Sequence, residues 1–101
     1  MFNYTQKDIH RFWSKVNIPY DLDNTMDYDS CWIWYGGFDK NEYGLFWLNS
    51  KSVRSHRFSY VITFSQIPKN MYVLHTCDNP PCVNPYHLKI GTCKDNINDR
   101  V

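Results

Sequence analysis

The sequence lacks the long apolar runs that mark membrane proteins. No apolar stretch approaches the roughly 18 residues that a transmembrane helix needs. Residues 1–8 are polar and lack the apolar segment of a secretory leader, so we expect an intracellular protein without a membrane partner. Internal repeats, low-complexity tracts and linkers are also missing. The 101 residues therefore predict one domain spanning 1–101.

A strong charge of one sign is also absent. The net charge of +1 does not by itself indicate a nucleic-acid partner. Residues 20–30 hold four aspartates and neither Lys nor Arg, whereas Lys51, Arg54 and Arg57 form a small basic cluster. A cluster of this size fits a DNA contact and an ordinary solvated face about equally well.

Aromatic residues and cysteines are what the chain does have. Aromatics make up 18% of it and supply most of the candidate core. A domain this small is marginally stable on its core alone, and a structural metal is a common remedy. Four cysteines in a chain without a leader favour reduced thiols and metal binding over disulfides.

Residues 75–87 concentrate the metal-binding side chains. Cys77 and Cys82 bracket a Pro-Pro turn, and His87 follows five residues later. Thiolate and imidazole ligands on a polar, rigid loop are typical of structural zinc. The fourth ligand is either Cys31 or Cys93, or a water molecule. His75 is then left unused beside the metal loop, which makes it a candidate general base.

The N-terminal half predicts a helix followed by strands. Thr5 begins a helix with an apolar stripe at 9, 12, 13 and 16. Residues 31–35 and 43–48 read as two strands of one hairpin, and residues 52–54 as a short third strand.

The C-terminal half predicts a helix from Ser55 to about residue 66, burying its apolar side chains to about Phe64. His10 and His56 read as ordinary polar helix-face residues. Strands over 71–75 and 87–90 flank the metal loop, and a last helix runs from about 93. The fold class is α+β.

Two segments carry a family resemblance: VLHTCDNPPCVNPYHL at 73–88 and GTCKDN at 91–96. They resemble the HNH and His-Cys box branches of the His-Me finger, or ββα-metal, nucleases, most of all a homing endonuclease. The CWIW, YG and SHR segments that begin at 31, 43 and 55 extend the similarity to roughly residues 30–100. The resemblance implies a small zinc-stapled ββα-metal domain whose core spans about 71–101.

The resemblance also assigns roles to residues. His75 would be the general base, and Asn96 would bind a catalytic divalent cation, Mg²⁺ or a substitute such as Mn²⁺. Arg54, or alternatively Arg57, would contact the scissile phosphate. The structural zinc ligands would be Cys31, Cys77, Cys82 and His87. The chain departs from many HNH nucleases at Leu74, where an Asp or His often binds the catalytic metal, so Asn96 would be the sole protein ligand.

The expected function is hydrolysis of double-stranded DNA to 5′-phosphate and 3′-hydroxyl ends. The hairpin strands 43–54 would read the major groove through Lys40, Lys51 and Arg54. The alternatives are a zinc-stapled DNA-binding module whose catalysis has lapsed, and a small disulfide-bonded secreted protein. About 100 residues offer little surface for a long DNA site, which suggests a homodimer or a further DNA-binding segment. The Asn-, Tyr-, Lys- and Ile-rich composition suggests a phage, virus or mobile-element origin.

Overall fold

A computed structural model describes residues 2–92 of the chain. The predicted last helix, with Cys93 and Asn96, lies outside these residues. The helices are α1 (Gln6–Trp13), α2 (Ser55–Thr63) and a 3-10 turn (Pro85–His87). The strands are β1 (Val16–Asn17), β2 (Ile33–Trp34), β3 (Gly37–Phe38), β4 (Gly44–Leu48), β5 (Lys51–Arg54), β6 (Tyr72–His75) and β7 (Leu88–Gly91). All the pairings among them are antiparallel, which confirms the α+β class.

Helix α1 starts where the sequence predicts. The Thr5 side chain accepts a hydrogen bond from the Asp8 backbone, and the Asp8 side chain accepts one from the Thr5 backbone, which completes a capping box. The helix ends at Trp13, so the prediction that Val16 continues its stripe is wrong. Val16 pairs with Trp34 between β1 and β2 instead, where a β-branched residue is well suited.

The predicted pairing of residues 31–35 with 43–48 is also wrong. Strand β2 pairs with β1, whereas β4 lies between β3 and β5 in a separate three-stranded sheet. The β3–β4 turn is closed by Asp39, whose carboxylate accepts the backbone N–H of Asn41 and of Tyr43. This local Asx turn brings the chain back within five residues, so β4 pairs with the nearer strand.

A two-residue turn joins β4 to β5. Asn49 and Ser50 have φ angles of 51° and 66°, as in the type I′ turns that match the twist of a hairpin. The pairing continues to Leu45 opposite Arg54, which confirms the short strand predicted at 52–54.

The core is aromatic. Phe12 is fully buried and stacks on Trp34 with ring centroids 5.0 Å apart, while Phe46 and Phe58 each lie 5.2 Å from it. These rings pack α1, α2 and the strands β2 and β4 against one another. Helix α2 ends at Thr63, earlier than predicted, and Phe64 is exposed. No helix within residues 2–92 is both long and apolar enough to cross a membrane.

Candidate functional site

Three thiols and one imidazole converge on one point. The ligand atoms of this cluster all lie within 4.8 Å of one another: Cys31, Cys77, Cys82 and His87. The Nδ1 atom of His87 lies 3.6 Å from the sulfur of Cys82 and 3.8 Å from that of Cys31. Zn–S and Zn–N bonds at tetrahedral angles place sulfur and nitrogen about 3.6 Å apart. The cluster can therefore hold a metal ion such as zinc.

Backbone pairing brings Cys31 to the metal loop. Ile33 forms a bridge with Cys82, and the Val83 N–H donates to the Trp32 carbonyl at 2.8 Å. Asn84 is fully buried and donates its side-chain amide to the carbonyls of Tyr28 and Ser30. These bonds fix the residues on both sides of Cys31 and hold this distant ligand beside the metal loop.

The loop is also fastened to the rest of the domain. The Ser59 hydroxyl, on α2, donates to the Val83 carbonyl at 2.6 Å in a fully buried position. The backbone N–H of Thr76 donates to the His87 carbonyl at 2.7 Å, which holds His87 beside the end of β6. The cluster is therefore anchored to both a helix and a strand.

The thiols of the cluster favour binding a cation. Burial raises the pKa of Cys77 and raises that of Cys82 to about 12. Burial acts in the same direction on Cys31, but hydrogen bonds from Asn79 and the other two thiols outweigh it and lower the Cys31 pKa. Negative charge on Cys77 and Cys82 is therefore unfavourable without a cation, as expected of a metal site. The three described cysteines are free thiols.

His75 lies at the end of β6, directly beside this cluster. Its Nε2–H donates to the Cys82 carbonyl at 2.8 Å, the kind of bond to the metal loop that the base hypothesis requires. The other nitrogen, Nδ1, is not among the buried unpartnered atoms of residues 2–92, and the His75 side chain is only partly buried. Burial lowers the pKa of His75 below its ordinary value, which favours the neutral ring.

Two further rings pack against His75. The centroid of His56 lies 4.6 Å from that of His75 with the planes 33° apart, and Tyr43 lies 5.9 Å from His75 and 5.2 Å from His56. The Arg54 guanidinium lies 4.4 Å above the Tyr43 ring. A cation, a phenol and two imidazoles thus form one group around the candidate base.

The two candidate phosphate ligands differ in their surroundings. Arg54 is half-exposed and lies 3.6 Å from the Asp39 carboxylate. Arg57 is less exposed and has no ion-pair partner within residues 2–92. Burial and the nearby Arg54 charge lower the Arg57 pKa. Both arginines line one surface cleft beside the first residues of the chain.

The basic residues predicted to read DNA do not share one face of the hairpin. Lys51 pairs with Leu48, which is buried. The Lys51 side chain therefore lies on the face of the sheet that covers the core. Arg54 pairs with Leu45 on the opposite side, together with the exposed Trp47. Lys40 lies in the β3–β4 turn and is exposed.

One site residue was missed by sequence reasoning. His56 was predicted to be an ordinary polar helix-face residue, and it is 3% exposed, so that prediction is wrong. The sequence signal was the three-residue spacing between His56 and Ser59, which places both side chains on the same buried face of α2. His10 is exposed, as predicted.

Three further residues were assigned or discussed as site residues from the sequence: Leu74, Cys93 and Asn96. Leu74 is buried, so it takes no part in the solvent-facing site. Asn96, predicted to bind the catalytic cation, and Cys93, the alternative zinc ligand, lie outside the described residues. Within residues 2–92, the Cys₃His cluster is the metal-binding group that the geometry supports.

Fold and site together define a small α+β domain with a Cys₃His cluster that can hold a metal ion. The chain is 44% identical over 73 residues to "Protein 7.7" of Escherichia phage T7, covering 72% of this chain and 56% of that protein. It is 45% identical over 73 residues to "Protein 2.8" of the same phage, covering 70% of this chain and 49% of that protein. The chain spans about half the length of these curated relatives, and their similarity supports a phage origin. No family model and no solved structure matches the chain.

Proposed function

We propose that this chain is a metal-dependent DNA endonuclease of the His-Me finger type. In this proposal β6 and β7, joined by the metal loop, are the two strands of a ββα-metal unit. The helix that the sequence predicts from about residue 93 lies outside the described residues. The Cys₃His cluster is a structural zinc site, and double-stranded DNA is the substrate.

The observation that carries the proposal is the orientation of His75. Its Nε2–H is committed to the Cys82 carbonyl, so the neutral ring carries its lone pair on Nδ1. His75 is only partly buried, so its ring keeps some exposure to solvent. A neutral imidazole with a fixed tautomer and an open lone pair is the form that a general base requires.

The reaction follows from this orientation. Nδ1 of His75 removes a proton from a water molecule, and the resulting hydroxide attacks the phosphorus. The bond from phosphorus to the 3′ oxygen breaks, and the leaving oxygen takes a proton from solvent. The products are a 5′-phosphate and a 3′-hydroxyl end. When bound, a divalent cation such as Mg²⁺ would offset the charge that develops on the phosphate and the leaving oxygen, and Asn96 would hold it.

Arg54 is the better candidate for the scissile phosphate. It lies on Tyr43, which contacts His75, so its guanidinium belongs to the group around the base. Its pairing with Asp39 is half-exposed, and exposed ion pairs contribute only about 0–1 kcal/mol. A phosphate can therefore displace Asp39 at little cost. We expect Arg54→Gln to reduce cleavage more than Arg57→Gln does.

The test is plasmid cleavage with Mg²⁺ by the wild type and by His75→Ala. The matched control is His10→Ala, which removes an exposed imidazole from α1. We expect cleavage by the wild type and the control, and a loss of at least about 10²-fold in His75→Ala, the scale of general-base catalysis. Zinc content should be unchanged in both variants, and both should remain folded at the assay temperature.

The products also separate the alternatives. Linear plasmid indicates paired cuts by a homodimer, and nicked circles indicate a monomer. A zinc-loaded wild type that binds DNA and leaves a randomised-target library uncut would favour the lapsed DNA-binding module. Equal cleavage by the wild type and His75→Ala would remove His75 from the mechanism.

A further inference from the structure

His56 is a buried histidine whose polar atoms are only partly satisfied. It lies in the first turn of α2, and its Nε2 is 3.0 Å from the Val73 carbonyl on β6. The bond requires hydrogen on Nε2, so Nδ1 carries the lone pair. That atom is buried and has no hydrogen-bond partner, a state shared within residues 2–92 only by the Ser55 hydroxyl. An unpaired buried acceptor costs about 1–3 kcal/mol.

An apolar residue would avoid this penalty, so the ring needs another reason to be there. Its closest aromatic neighbour is His75, at 4.6 Å between centroids. Burial, with a smaller effect of His75, lowers the pKa of His56 to about 3, so His56 is neutral. A neutral flat ring can cover one face of His75 without repelling it when His75 gains a proton.

Among residues 2–92, the other contacts that orient the His75 ring are one hydrogen bond and the more distant Tyr43 ring. The bond from Nε2 to the Cys82 carbonyl holds one edge of the ring, and rotation of the ring about its Cβ–Cγ bond would break that bond and release both nitrogens. Tyr43 lies further away, at 5.9 Å. Contact across the face of the ring, added to the hydrogen bond at its edge, fixes the direction of Nδ1.

We propose that His56 is a positioning residue whose ring packs on His75 and holds its Nδ1 atom in the direction of attack. Its hydrogen bond to Val73 joins α2 to β6, so the helix and the strand that bears His75 move together. The catalytic meaning of this role rests on the proposed nuclease function. The orientation of the His75 ring does not, so the two are tested separately.

The first experiment measures the ring directly. In zinc-loaded protein, ¹⁵N NMR of the imidazoles reports which nitrogen of His75 carries hydrogen. We expect the Nε2–H form alone in the wild type and in His56→Phe, which keeps a flat ring. We expect a mixture of both forms in His56→Ala. An unchanged His75 signal in a folded His56→Ala protein would overturn the proposal, whether or not the wild type cuts DNA.

The second experiment measures turnover. We expect His56→Ala to lower kcat by about 10- to 100-fold with KM within about twofold, because misorientation of a reacting group costs rate rather than binding. His56→Phe should stay within about threefold of the wild type. Val61→Ala, which opens a cavity in the same helix without touching His75, is the control for lost stability. Equal losses in His56→Ala and Val61→Ala, or in His56→Ala and a folded His56→Phe, would overturn the positioning role.

Discussion

Replacing Cys31 with serine tests how the metal holds this domain together. Cys31 comes from the segment before β2, whereas the other three ligands lie in residues 77–87. A bound metal therefore acts as a cross-link between two distant parts of the chain. The serine variant keeps three ligands and still binds zinc, more weakly, but loses that cross-link.

The loop closed between Cys31 and Cys77 sets the size of the effect. For a loop of roughly 46 residues, the chain-entropy relation gives about 4 kcal/mol at 25 °C. A domain of about 100 residues has a total stability of about 5–15 kcal/mol. The variant should therefore lose a large part of its stability, with a melting temperature lower by about 20 °C.

Thermal and urea unfolding with saturating zinc would measure this loss, alongside zinc stoichiometry. Cys93→Ser is the matched control, because it makes the same thiol-to-hydroxyl change at the other candidate for fourth ligand. We expect Cys93→Ser to unfold like the wild type, and the wild type and Cys31→Ser to become alike in excess chelator. Wild-type stability in Cys31→Ser, together with a large loss in Cys93→Ser, would refute the ligand assignment.

Two further predictions concern packing and pH. An added Cβ at Gly44 would lie 2.5 Å from Trp34 and overlap the Ser55 hydroxyl, so Gly44→Ala should lose about 1–3 kcal/mol in urea unfolding. Gly37→Ala, which meets no atom within 4 Å, should change stability by less than about 0.5 kcal/mol. The second concerns His56, whose pKa of about 3 in the fold rises to 6.5 on unfolding. The wild type therefore keeps its full free energy of unfolding above pH 6.5 and should lose about 2 kcal/mol of it by pH 5, because the unfolded chain binds a proton that buried His56 does not. His56→Phe should not show this loss. If the free energies of unfolding of the two proteins fell in parallel with pH, the prediction would be contradicted.

The parts of the fold that sequence predicts are those set by local signals. The capping box at Thr5 fixes the start of α1, and the turn at Asn49-Ser50 fixes the β4–β5 hairpin. The Cys₃His spacing identifies the metal loop, because ligand chemistry restricts which residues can take part. Each of these features depends on a few neighbouring residues, which a single sequence displays directly.

The errors arise where distant contacts decide. Residues 31–35 form a good strand by composition, but composition does not choose a partner, and β2 pairs with β1 and the metal loop rather than with β4. Val16 follows the periodicity of α1, yet a strand contact to Trp34 outweighs it. His56 was misjudged for the same reason, because its burial depends on β6, which follows some 15 residues later.

Cys82 connects the metal cluster to His75, so the proposed cleavage should depend on the bound metal. Its sulfur belongs to the metal cluster, while its carbonyl accepts the hydrogen bond that orients His75. Loss of the metal removes the coordination that holds the four ligands together, so we expect the loop to shift and the Cys82 carbonyl to shift with it. Cleavage should therefore fall in proportion to zinc occupancy, even in Mg²⁺ and at temperatures where the metal-free chain is still folded by circular dichroism. Stepwise removal of zinc, with rate plotted against bound metal, would measure this. A folded zinc-free protein that still cuts would show that the metal loop does not orient the base.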